Sequence, residues 1–425
     1  MKRSLLPSAL ARRLRLLGPG LITGAADDDP SGIATYSQAG AQFGFSVLWT
    51  VVFTLPLMAA IQIVSARIGY VTRRGLAANI RAAYPRWVVA GVVGMLVVAN
   101  TLNIAADLAA MAEALRLLVG GSPHVYAVTF GLVCLVLQVF LPYQRYVRWL
   151  KWLTLALLAY VAVVFTLRLD WAQVLYGMVR PTMPKGSSPH DFILLIVAVF
   201  GTTISPYLFF WQAAQEMEDA SGSEPHTSHE VRHHLRRIKF DTITGMTFSN
   251  LIAFFIILST GATLHAAGVT DIQTSAQAAE ALRPLAGDLT FALFGLGIIG
   301  TGMLAVPVLA GSAAYAVAEA AGWRGSLSLV LSRQDAEGRG FYGVIAAATI
   351  GGVILCFTPM DPVKELFWSA VLNGIIAVPI MAVMMLLATN AQAMGGHAIG
   401  PRLRVLGWAA TAVMAATVSA LFWTI

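Results

Sequence analysis

The sequence predicts an all-α membrane protein of about eleven transmembrane helices, and three observations predict it. Of its 425 residues, 57% are hydrophobic and only 12% charged, where a soluble globular domain would carry about 25% charged residues; the mean hydropathy is +0.73. The apolar runs approach or exceed the roughly 20 residues that a spanning helix needs, whereas an outer-membrane barrel would show short alternating strands. Finally, Lys and Arg alternate in abundance from one connection to the next, as the positive-inside rule requires.

Taken in order, residues 1–17 (MKRSLLPSALARRLRLL) have their apolar stretch broken by Pro7, Arg12, Arg13 and Arg15, which argues for a cytoplasmic basic arm rather than a signal peptide. Spans are expected at 18–43, 46–68, 87–119, 124–142, 147–168, 191–215, 240–264, 287–320, 341–358, 365–389 and 402–424. With the N-terminus inside, all 28 Lys and Arg except Arg116, Arg168, Arg180, Lys185, Arg283 and Lys364 fall in the arm or in inside connections. The C-terminus is then extracellular, and topology accounts for the net charge of +7 without a nucleic-acid partner. The expectation is a multi-pass protein of the cell membrane, embedded in the lipid bilayer as a monomer. Cys134 and Cys356 lie inside apolar runs, so neither a disulfide framework nor a thiolate metal site is indicated. Glu216 to His234 is expected to be an inside loop whose histidines (His226, His229, His233, His234) are solvated rather than metal-binding.

Two spans are interrupted. The first contains GAADDDPSGIAT, Gly24 to Thr35, and so holds Asp27, Asp28 and Asp29 near its midpoint. A charge there costs roughly 2.5–3.5 kcal/mol or more. Pro30 lacks an amide donor and Gly32 accepts unusual dihedrals, so the span should split into two half-helices. Broken backbone at membrane depth survives only where it is buried or lines a cavity, and a carboxylate beside free carbonyls is a cation site. The plainer reading is a Pro-kinked helix with aspartates at a wet end. The sixth span repeats the pattern at Gly201-Thr202-Thr203-Ile204-Ser205-Pro206-Tyr207. Breaks at corresponding places in two halves point to a transporter site, and an offset of five helices inverts the second half relative to the first. The expected organisation is a first five-helix repeat over 18–168, a second over 191–389, and an additional helix at 402–424.

GPGLITGAADDDPSGIATYSQAGAQFGFSVLW followed by IQIVSARIGYVTRRGLAANIRAAYP resembles the first two helices and following loop of the NRAMP family of divalent metal-ion transporters. The likeness continues through NIAADLAAMAEAL, GTTISPYLFFWQ, FDTITGMTFSN and AVAEAAGW, nearly the whole chain. It implies a leucine-transporter-like 5+5 inverted repeat with the metal held between broken helices 1 and 6, and often proton-coupled uptake of manganese or iron. The family's helix-one motif Asp-Pro-Gly-Asn is here Asp29, Pro30, Ser31 and Gly32, and its helix-six Met-Pro-His is Ser205, Pro206 and Tyr207. Of the helix-three acidic pair Asp107 remains and Ala110 replaces its partner; Tyr207 and Gln212 stand at histidine positions. This pattern is similar to a divergent, NRAMP-related branch proposed to carry magnesium.

Losing the methionine sulfur removes a soft ligand that favours transition metals, and Gly32 in place of asparagine is expected to leave room. A roomy oxygen site suits Mg²⁺, which keeps several waters, and still admits Mn²⁺. Asp29 is the first candidate ligand, then Asp28, with oxygens from Thr202 and Ser205; the hydroxyls of Thr202, Thr203 and Ser205 have the alternative of bonding to their preceding turn. Asn373 and Asp107 are candidate cavity or coupling residues, while Glu113, Asp241 and Glu319 are read as structural pairs with arginines. No nucleophile, P-loop or dinucleotide fingerprint is present, so no enzyme and no cofactor are expected; the divalent metal is substrate. The expected function is alternating-access transport of Mg²⁺ and/or Mn²⁺, weakly coupled to protons or uncoupled. Its competitors are proton-coupled Mn²⁺/Fe²⁺ uptake, an organic-solute/cation symporter of the same fold, and a metal-sensing receptor.

Overall fold

The computed structural model describes residues 19–142, 145, 153–184, 186–221, 228–323, 325–327 and 336–424, and the basic arm at 1–17 lies outside them. Every regular element among the described residues is helical. The first expected span is two half-helices, α1 (Pro19–Asp27) and α2 (Pro30–Phe43). Then come α3 (Leu48–Thr72), the short α4 (Leu76–Ala83), α5 (Arg86–Val119) and α6 (Pro123–Phe140). α7 (Leu158–Val164) and α8 (Trp171–Val179) lead to the second split span, α9 (Pro189–Thr203) and α10 (Pro206–Ser221). The chain closes with α11 (Ser228–Thr260), α12 (Thr290–Ala321), α13 (Ala336–Leu355), α14 (Pro362–Thr389) and α15 (Pro401–Trp423).

Nine stretches among the described residues are long and apolar enough to cross a membrane. The difference from eleven expected spans has a physical source. α2 runs through one 3₁₀ turn into α3, so Pro30–Thr72 forms a single apolar stretch, and the fifth span is represented by the shorter Leu155–Val164. Residues 216–234, expected as a loop, are helical up to Ser221 and again from Ser228. Hydropathy registers only the apolar part of such helices, which continue past it with charged turns. His226 lies outside the described residues. His234 is packed rather than solvated: it stacks on Tyr70 at 4.0 Å, with Nε2 3.6 Å from Glu216.

Both proline breaks are placed by close backbone approach, which small residues permit. A Cβ at Gly24 of α1 would run into the Gly245 carbonyl of α11, and one at Gly201 of α9 into the Ala370 carbonyl and Gly374 of α14. At its start α1 is also held electrostatically, the Gly20 amide donating to Asp241 Oδ2 at 2.7 Å. Glu113 pairs at 2.6 Å with Arg116 of its own helix rather than with a loop arginine, and Glu319, like Asp241, takes a backbone amide, that of Ala78 in α4. Both cysteines are buried and unpaired.

Candidate metal site

Asp29 organises the first break. Its backbone is extended (φ −73°, ψ 170°) and its Oδ1 accepts the Gly32 amide at 2.7 Å, so it is the N-cap of α2, with Pro30 at the first helical position. A carboxylate there satisfies an orphan donor and sits at the positive end of the helix dipole. Across the break, the Tyr207 hydroxyl of α10 donates to the Ala26 carbonyl of α1 at 2.8 Å and lies 3.4 Å from Asp29 Oδ2. Tyr207 therefore covers a carbonyl that the broken helix would otherwise leave bare.

Asp27 and Asp28 turn away from this point. The Ser249 hydroxyl of α11 lies 2.6 Å from Asp27 Oδ2 and 3.0 Å from Asp28 Oδ1. The three adjacent carboxylates are each at most 2% exposed, Asp27 and Asp28 meeting at Ser249 while Asp29 takes the Gly32 amide. Among the described residues, no three His, Cys, Asp or Glu side chains converge as a resident metal site would require. Ser249 lies within the stretch FDTITGMTFSN, and nothing in that stretch alone marks it as a partner of the aspartates.

The second break is closed from within. Ser205 Oγ reaches back to the carbonyls of Gly201 at 2.9 Å and Thr202 at 2.7 Å, the preceding-turn bonding that was its alternative role. Thr203 donates to the Val199 carbonyl at 2.6 Å and meets the Tyr36 hydroxyl at 2.8 Å. Thr202 faces Gly32: a Cβ on Gly32 would lie 3.3 Å from Thr202 Oγ1 and 3.4 Å from both the Asp27 carbonyl oxygen and Tyr36. Gly32 thus provides a close fit between the two breaks, not the open volume expected from the sequence.

α14 and α5 complete the surroundings. The Ser31 hydroxyl donates to the Leu366 carbonyl at 2.9 Å and lies 3.2 Å from Ser369 Oγ. Asn373, buried and four residues beyond Ser369, falls on that same helical face. Asp107 on α5 is fully buried, and neither carboxylate oxygen has a hydrogen-bond partner. The Ser31 amide and the Asp29 carboxylate are its polar neighbours. Asn103, one turn away, is also buried and unpartnered, while Asn100 donates to the Leu309 carbonyl and to Ser312. The spacing Asn100, Asn103, Asp107 puts three polar side chains on one face of an apolar helix, a signal present in the sequence but read only at Asp107. Gln212 donates to Thr242 at 2.8 Å.

The family described as natural resistance-associated macrophage protein-like (Nramp) matches residues 20–424. Divalent metal cation transporter MntH of Klebsiella pneumoniae strain 342 is 26% identical over 413 residues, covering 95% of this chain and 92% of its own length. Its namesake from Yersinia pestis strain Pestoides F is 30% identical over 299 residues, 68% of this chain and 69% of the relative. Among solved structures, a manganese transporter of Eremococcus coleocola superposes with a TM-score of 0.75 at 18% identity, over 98% of this chain and 88% of that one. A nucleobase-cation-symport-1 family transporter in a closed conformation gives 0.60 at 14% identity, over 96% and 92%. These structural likenesses show the fold, the leucine-transporter-like arrangement with broken first and sixth spans. With the family match running over nearly its full length, the chain belongs to the Nramp family.

Proposed function

We propose that this protein carries divalent metal cations across the membrane by alternating access, with the ion bound between the two broken spans. The observation that carries the reading is the buried Asp29 carboxylate at the α1–α2 break, facing a second break whose carbonyls and hydroxyls are oxygen donors. The names of the MntH relatives and of the manganese transporter agree with it. Asp29 supplies the charge and Thr202 a hydroxyl, with Ser205 and Asp28 able to contribute once released from the Thr202 carbonyl and Ser249. Pro30 and Pro206 keep the breaks open; Asn373 lines the α14 side. Every donor in this set is oxygen, or amide in the case of Asn373, which favours hard ions such as Mg²⁺ and Mn²⁺.

The five-helix repeats take residues 18–168 and 191–389, α15 being additional. In this reading the cytoplasmic connections are those that carry Arg73, Arg74, Arg81, Arg232, Arg402 and Arg404, and the opposite ones those with Arg168, Arg180, Arg283 and Lys364. That orientation puts the N-terminus inside and the C-terminus outside the cell membrane. The competing reading is proton-coupled Mn²⁺/Fe²⁺ uptake. One observation favours it: the two unpartnered oxygens of Asp107, which a proton would partly satisfy. Purified protein in liposomes containing a metal-sensitive dye tests the function directly. Dye response to external Mg²⁺ or Mn²⁺ above that of empty liposomes is expected; metal binding without flux would instead identify a receptor.

A further inference from the structure

A groove of about 750 Å³ opens between α3, α11 and α15, which all belong to stretches long and apolar enough to cross a membrane. Its walls are apolar: Leu55 and Ile63 from α3, Ile238 and Ile243 from α11, Leu403 and Leu406 from α15. α3 lines it from Leu55 to Arg67 and α11 from Leu235 to Thr247. Twelve helical steps make each wall about 18 Å long, close to half of a hydrocarbon core about 30 Å thick. Its length is therefore that of one leaflet.

The charges sit at one end only. α3 descends into that end while α11 and α15 begin there, so Arg67, Lys239 and Arg402 collect at the same mouth, with no Asp or Glu in the lining. Arg67 is fixed by its Nε and Nη2 donating to the carbonyls of His397 (3.1 and 3.0 Å) and Ala398 (3.0 Å), and no carboxylate neutralises it among the described residues. Lys239 and Arg402 are exposed, and neither is in an ion pair among those residues. The first amides of α15 open onto the same mouth, its N-cap Gly400 offering no side chain to cover them.

We propose that this groove binds an anionic phospholipid, acyl chains along the apolar walls and headgroup phosphate against Arg67, Lys239 and Arg402. Apolar length alone would accept any lipid; the unneutralised cations at one end select a negative headgroup, as basic pockets at a membrane interface do. The site is separate from the α1–α2 break and does not depend on metal transport.

The test uses the full-length protein in detergent, with lipid retention followed by native mass spectrometry for phosphatidylglycerol and phosphatidylcholine at equal concentration. Wild-type protein should retain phosphatidylglycerol preferentially, and Lys239→Gln with Arg402→Gln should weaken that retention about thirtyfold, or about 2 kcal/mol at 1.4 kcal/mol per tenfold. Ile243→Trp, which fills the groove and leaves the charges, should weaken it as well. Inorganic phosphate at millimolar concentration should not displace the lipid. Equal retention of the two lipids by wild-type protein would overturn the proposal. So would an unchanged preference in the double variant, unaltered binding in Ile243→Trp, or displacement by free phosphate, which would reduce the site to a simple anion patch. Thermal unfolding of both variants without lipid, expected to match wild type, separates these outcomes from misfolding.

Discussion

The two breaks begin alike, a small or polar residue followed by proline, and resolve their broken backbone in opposite directions. At the first, Asp29 looks forward: its carboxylate takes the Gly32 amide of the half-helix it opens. The carbonyl end of α1 behind it is served by a side chain distant in the sequence, Tyr207, which donates to Ala26. At the second, Ser205 looks backward, its hydroxyl closing the Gly201 and Thr202 carbonyls of the half-helix it ends. The first break is therefore charged and completed by a removable hydroxyl from the other half of the molecule, whereas the second is neutral and completed by its own residue. A cation arriving between them gains most at the first; at the second it meets the Thr202 hydroxyl but has to displace a hydrogen bond to reach Ser205 or the carbonyls that Ser205 closes.

The sharpest way to break this comparison is to remove the charge while keeping the cap. Asparagine caps helices about as well as aspartate, so Asp29→Asn should keep the wild-type thermal midpoint. Metal uptake should fall at least about a hundredfold, because one ionic ligand contact worth about 3 kcal/mol is lost. Uptake within a few-fold of wild type in a well-folded Asp29→Asn would show that the first break serves structure alone. Asp29→Ala, which loses cap and charge together, should abolish uptake and also lower the midpoint.

The next effect concerns the second break. Replacing Ser205 by Met, together with Gly32→Asn, puts a thioether and an amide where oxygen and hydrogen now stand. Preference should move toward Mn²⁺ or Cd²⁺ over Mg²⁺ by about tenfold, read as the concentration of Mg²⁺ needed to halve Mn²⁺ uptake. The close approach of Gly32 to Thr202 Oγ1 makes the double change a local disturbance. Ser205→Met alone is the control, and it should carry most of the shift. No shift in either variant would remove the hard-ligand argument.

Tyr207→Phe sharpens the comparison further, because it bares the Ala26 carbonyl without touching charge. A buried acceptor left alone costs about 1–3 kcal/mol. The metal-free protein should lose stability by about that amount and regain part of it when Mg²⁺ or Mn²⁺ takes the vacated carbonyl. A metal-induced rise in thermal midpoint no larger than that of wild type would mean that Ala26 never meets the ion.

What the sequence made legible was whatever backbone chemistry decides locally. Asp29-Pro30 and Ser205-Pro206 each pair a proline with a polar side chain that bonds the local backbone, and both break their helices, whereas Pro56, Pro307 and Pro379, which follow apolar residues, sit inside continuous ones; the long apolar runs span. What stayed hidden depended on partners far along the chain. That Asp27 and Asp28 are claimed by Ser249, more than 200 positions away, cannot be read from three adjacent aspartates. The sequence leaves Ser205's hydroxyl two roles, ligand to the ion or donor to its preceding turn, since both use the same oxygen. Gly32 was read as empty space because glycine lacks a side chain, but the facing Thr202, Asp27 backbone and Tyr36 already fill that space.

The smallest expected effect concerns protons, and it tests whether anything beyond the two breaks takes part in the cycle. Coupling requires a titratable group whose proton affinity changes as the ion moves, and histidine is the side chain best suited to that near neutral pH. Tyr207 and Gln212 are committed instead as neutral donors, to the Ala26 carbonyl and to Thr242. Tyrosine titrates near 10 and glutamine not at all, so neither replaces a histidine. Asp107, with Asn103 beside it, is the group that could still exchange a proton. Removing its ability to titrate by Asp107→Asn should leave Mg²⁺ uptake within about twofold of wild type, the range of an interaction worth under 0.5 kcal/mol. A pH-sensitive dye inside the same liposomes should stay silent as Mg²⁺ or Mn²⁺ enters. Metal-dependent acidification that vanishes in Asp107→Asn would make α5, not the second break, the true counterpart of Asp29, and would favour proton-coupled uptake.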